Sequence, residues 1–189
     1  MIPAGYMAKR VAQRPDWLKV PLVKDIYSVS NCVSDDFIDY IPFWRHNGYW
    51  FFNRPQIIQE LSRENGVDQE ELAIFYYEVY EKEFDEEEKQ WFRFEPSNFP
   101  TTVISALRKE LQGYDVVTFS MGTNPECSPL SCNHLATEIT TNLHCLLESF
   151  EEAKTSLEAG RFNHTEPGPF RIFAVYTIEP SPQNEVENE

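Results

Sequence analysis

"FRIFAVYTI", residues 170–178, is nine residues long, almost wholly apolar and rich in β-branched and aromatic side chains. The segment "EPGP" just before it marks a turn. A short apolar run of this kind reads as a strand buried on both faces. Working backward, Leu143, Leu146, Leu147, Phe150, Ala153 and Leu157 form one stripe at helical spacing, and Gly160 ends it. The spacing predicts a helix over about 141–159. Before that helix lies "YDVVTFS" (114–120), a second buried-strand pattern. If 114–120 and 170–178 are neighbours joined by a helix, a parallel, right-handed crossover is expected. The fold class expected is therefore α/β or α+β, with a mixed sheet and helices packed on it.

The rest of the chain extends this pattern. "AIFYYEVYE" (73–81) alternates Phe75, Tyr77 and Val79 onto one side of a strand, and "QWFRFE" (90–95) is a partner for it across the acidic run 81–89. "NRPQIIQELSRENG" (53–66) has Pro near its start, Ile57, Ile58 and Leu61 on one face, and Gly66 as a stop, all marks of a helix. "TTVISALRKELQG" (101–113) carries Val103, Leu107 and Leu111 four apart and also reads as a helix, stopped by Gly113. "SDDFIDYI" (34–41) suits a short helix ending before Pro42, and "DIYSVSNCV" (25–33) a strand. Asn47-Gly48 between aromatic runs predicts a β-hairpin near 43–52. No internal repeat is visible. A single domain over 1–189 is expected, with 179–189 as a flexible acidic tail.

Charge limits the partners. The chain carries 31 acidic and 16 basic residues, a net −15, which repels phosphate backbones and anionic lipid. Neither nucleic acid nor membrane is expected as a partner. No secretion signal follows the first residues, and no apolar run reaches the ~18–20 residues of a membrane span. Four cysteines are too few for a disulfide scaffold, so a cytoplasmic protein with reduced thiols is expected. The sequon at Asn163 then has no meaning.

Chemistry concentrates in "PECSPLSCNHLATEITTNLHC" (125–145), which holds three of the four cysteines and two of the four histidines. It leaves the carboxyl end of a predicted strand, where ligand crevices form in α/β sheets. A nucleophile reading takes Cys127 or Cys132 as thiolate, His134 or His144 as base and Asn133 or Glu138 as orienter. A zinc reading suffers from spacing that is not the paired C-x-x-C pattern, so no metal and no cofactor are expected. The plainer reading gives Ser128, Ser131, Asn133 and Thr137 the work of satisfying loop backbone groups. Two further sets could bind a ligand. Trp44, His46, Tyr49 and Trp50 of the hairpin could stack on a ring. Glu78 is a lone acid in an apolar strand that needs a mate such as Arg45, Arg93 or Arg171.

No phosphate loop, GxSxG, HExxH or EF-hand pattern is present. The function expected is therefore an acidic regulatory module that binds another protein, by charge a basic one. The alternative is a small hydrolase or transferase with its pocket under residues 121–140.

Overall fold

The computed structural model describes residues 1–37, 47, 49–93, 102–120 and 125–178. The fold is α+β. Its strands are β1 (Ile2–Arg10), β2 (Ala12–Gln13), β3 (Asp25–Ile26), β4 (Asp35–Asp36), β5 (Ala73–Val79), β6 (Lys82–Asp85), β7 (Gln90–Arg93), β8 (Lys109–Thr118) and β9 (Phe170–Ile178). The helices are α1 (Pro55–Asn65), α2 (Pro129–Cys132) and α3 (Phe150–Glu158).

β9 is the centre of the main sheet, as its continuous apolar sequence requires. β5 pairs with it on one side, from Phe75↔Thr177 to Val79↔Phe173, and β8 along its whole length on the other. β1 adds to β5, while β6 continues beyond β5 along the same side of β9 and carries β7. Every pairing among the described strands is antiparallel. The expected parallel crossover between the segments 114–120 and 170–178 is thus corrected: they are neighbours, but antiparallel. The chain returns past the middle of β8, where Leu147 bridges Tyr114, before α3 begins. α3 then carries it back up, and β9 descends.

α1 packs against β1, placing Ile58 in an aromatic core with Tyr6, Tyr76 and Tyr77, while α3 packs on β8 and β9 and puts Ala153 and Leu157 beside Val116 and Ile172. α1 keeps its expected Pro start, and its Gly66 stop is left-handed at φ 67°.

Five local expectations are overturned. Residues 90–93 do not pair with 73–79: part of the acidic run between them is itself a strand, β6, and β7 pairs with that strand. Residues 109–113 form a strand rather than a helix, because β9 offers them a full ladder, and Gly113 sits at a register shift instead of a helix stop. Residues 102–108 have no regular structure. Asp35 and Asp36, expected to be helical, pair as a strand with Arg10 and Lys9. Only Asp25–Ile26 of the segment 25–33 is strand. α3 is also shorter than expected, since Asn142 takes the N–H groups of His144 and Leu146 and Cys145 has φ 61°, so no helix can run through 142–147. The predicted hairpin falls largely outside the described residues. Its described end is a turn, closed by Trp50 N–H to Asn47 O (3.0 Å), from which Phe52 bridges to Tyr6 of β1.

An internal repeat, invisible in the sequence, is plain in the backbone. Gly5 and Gly113 lie at register shifts with φ 139° and 143°. Asn47 Nδ2 donates to Ala4 O (2.8 Å) and Asn142 Nδ2 to Gln112 O (2.7 Å). Each Asn Oδ1 accepts two N–H groups, from Tyr49 and Phe51 in one half and from His144 and Leu146 in the other. Trp50 and Cys145 share a positive φ at the same place, Phe52 and Leu147 bridge the tyrosine after each glycine, and each helix begins three residues later. β1, α1 and β5 form one strand–loop–helix–strand unit and β8, α3 and β9 another, related by an approximate two-fold axis through the Tyr77↔Val175 pair.

Candidate functional site: a buried polar clamp and three thiols

The site begins with two buried charged residues. Lys9, 1% exposed on β1, sends its ammonium to the carbonyls of Ser28 (2.7 Å), Val29 (2.8 Å) and Ser30 (3.0 Å). Asp115, equally buried on β8, accepts the N–H of Val29 (2.8 Å) and the hydroxyl of Ser128 (2.6 Å) through Oδ2. Ser128 Oγ in turn accepts the N–H of Ser30 (3.2 Å). A buried charge persists only when hydrogen-bonded, so this network fixes the loop 28–30 against the start of α2. Burial pushes the Asp115 carboxyl up to about 6, with the Ser128 and Val29 hydrogen bonds opposing the shift.

The clamp brings three cysteines together. The sulfurs of Cys32, Cys127 and Cys132 all lie within 4.8 Å of one another. Cys32 is exposed, Cys132 half-buried and Cys127 buried. Cys32 Sγ donates to Glu126 O (3.1 Å), Cys127 Sγ donates to Asn133 Oδ1 (3.1 Å), and the Ser30 hydroxyl lies 3.7 Å from Cys132 Sγ. Hydrogen bonds from Cys127 and Cys132 pull the Cys32 thiol well below its ordinary range. The same contacts, with burial, push Cys127 up.

Of the candidate nucleophile set, the structure joins Cys127, Cys132 and Asn133 but not the imidazoles. His134, in the left-handed region at φ 60°, lies on Trp17 with ring centroids 4.5 Å apart. His144 stacks on Tyr27 at 3.9 Å, and burial lowers its pKa. Ser128 belongs to the clamp and makes no side-chain cap on α2, whereas Ser131 and Thr137 satisfy loop carbonyls as expected. Cys145 is buried in the α3 core. Cys32 is the member that sequence reasoning missed. It lies 95 residues before Cys127, so no spacing rule reaches it. The signal was the "SNC" turn beside a buried lysine, legible only with the register of β1 in hand.

Glu78 has a different mate from the three arginines considered. Its carboxylate accepts from the Lys109 ammonium, from Tyr176 OH (3.0 Å) and from Tyr76 OH (3.3 Å). Burial would raise its pKa, but the bonds from Lys109 and Tyr176 outweigh that and lower it. Arg171 instead binds Glu83 (2.9 and 3.1 Å) and lies over Phe119. Arg45, Trp44 and His46 fall outside the described residues. Tyr49 is buried and Trp50 half-buried, so this pair is not an exposed stacking platform. Among the described residues, no helix is long and apolar enough to cross a membrane.

No family model, curated protein or solved structure matched this chain.

Proposed function

We propose that this chain is a regulatory module that binds another protein, and that its partner is basic. The observation that carries the reading is an exposed apolar run ahead of and into β8. Ile104 is 59%, Leu107 101% and Leu111 44% exposed. Three large apolar side chains within eight residues, open to water, are what a contact surface offers. A largely apolar cavity of about 350 Å³ lies between α1 and the sheet, lined by Ile58, Leu72, Ile74 and Ile178. Ile178 pairs with Lys109 at the start of β8, so run and cavity share one end of the sheet. The net charge of −15 favours a positively charged partner and speeds its encounter. The enzyme alternative finds less support, because His134 and His144 stack on Trp17 and Tyr27 and neither joins the three thiols.

Affinity capture with the full chain, compared with Leu107→Asp and Leu111→Asp, tests this. Both side chains are exposed, so the variants should melt as the wild type does. One stoichiometric basic partner is expected, lost from both variants and weakened by raised salt. Recovery of the same proteins with all three baits would end the proposal.

A further inference from the structure

We infer that Cys32, Cys127 and Cys132 form a binding site for one thiophilic d10 cation, zinc(II) or copper(I). This departs from the expectation of no metal, and it is independent of the partner surface on β8. Three sulfurs from two distant parts of the chain meet within 4.8 Å of one another. Tetrahedral zinc with bonds near 2.3 Å places its sulfurs about 3.8 Å apart. Closing the site thus takes a contraction of about 1 Å at most, within reach of side-chain rotation.

Core packing does not account for the trio, since Cys32 is exposed. A disulfide would join two sulfurs and leave the third without a role, whereas a soft cation uses all three. The backbone is also held in advance. Lys9 grips the carbonyls on either side of Val29, and Asp115 and Ser128 lock the same loop to the segment that carries Cys127 and Cys132. Rigid elements behind the ligands are what a metal site needs. Around the sulfurs, the Ser30 hydroxyl can donate to Cys132, and the Asn133 amide can turn its NH2 toward Cys127 once that sulfur is a thiolate. Binding would release the thiol protons and cross-link the loop after β3 to the start of α2. The exposed Cys32 edge leaves a coordination position facing solvent, so the ion can exchange.

The test uses the full chain, reduced and kept anaerobic. Zinc(II) alone and copper(I) alone are titrated against a chromophoric competitor, and cobalt(II) is used as a spectroscopic stand-in for zinc. One equivalent per chain is expected for the preferred ion, with a sulfur-to-cobalt charge-transfer band and a raised melting temperature. Cys32→Ser, an exposed change, should leave the metal-free melting temperature in place and weaken binding at least about 100-fold. Cys145→Ser should bind as the wild type does. Failure of both, or a Cys32→Ser chain that binds undiminished, overturns the inference. So does a purified chain whose cluster closes as a disulfide and, once reduced, takes up neither ion.

Discussion

Asp115 decides much at the scale of single residues. Its folded carboxyl titrates near 6 against an ordinary 3.8. The stability it contributes is therefore fully present below about pH 4 and is lost as pH rises through 6. Two pH units correspond to about 3 kcal/mol at most. Asp115→Asn keeps an oxygen for Val29 and Ser128 and removes the titration. Denaturant unfolding from pH 4 to 7 should show the variant gaining on the wild type by up to that amount, with parallel curves counting against a buried titrating carboxyl. Asp115→Ala strands the Val29 N–H and the Ser128 hydroxyl and should cost about 2–4 kcal/mol at any pH. None of this was legible in "YDVVTFS". A lone Asp in an apolar strand signals a buried polar role, but its partners come from residues 29 and 128, which only the sheet brings near. Cys127, Cys132 and Asn133 were readable as one chemical set because they are close in sequence, and Cys32 was not.

Among the elements, those with strong local signals folded as read. β9, β5 and α1 carry their own periodicity and stops. The failures at 101–113 and 141–149 share a cause. Both have apolar residues at helical spacing, yet the first is taken up by the β9 ladder and the second by an asparagine side chain that substitutes for helical hydrogen bonds. The two bulge glycines make this testable. A Cβ on Gly5 would stand 2.6 Å from Phe51 Cβ and 2.8 Å from Phe52 O, and one on Gly113 2.8 Å from both Leu146 Cβ and Leu147 O. With φ near 140° as well, Gly5→Ala and Gly113→Ala should each cost about 2–4 kcal/mol. Gly66→Ala, with open space around it, should cost only about 1 kcal/mol for its left-handed φ. Denaturation midpoints of the three variants check the ranking. A Gly113→Ala chain as stable as Gly66→Ala would show that the bulge is not tightly packed.

For the whole molecule, the two repeated units meet at the centre of one ladder, so neither has a sheet of its own to keep when the other melts. Thermal unfolding should be one transition, with near-UV and far-UV dichroism coincident. Two separated steps would show that the units fold independently. The repeat escaped the sequence because only its backbone-forcing residues persist, a Gly-Tyr pair and an Asn in each half, with unequal loops between them. Its arrangement is that of a symmetric dimer tied into a single polypeptide. Lys9 matches Val117 in the other half, and Asp115 matches Met7. Two identical protomers would have to carry each buried charge twice, at both ends of the axis. Fusion lifts that obligation: one half could take the lysine and the other the aspartate, and the thiol cluster they support exists once per molecule, on one flank of an otherwise two-fold body.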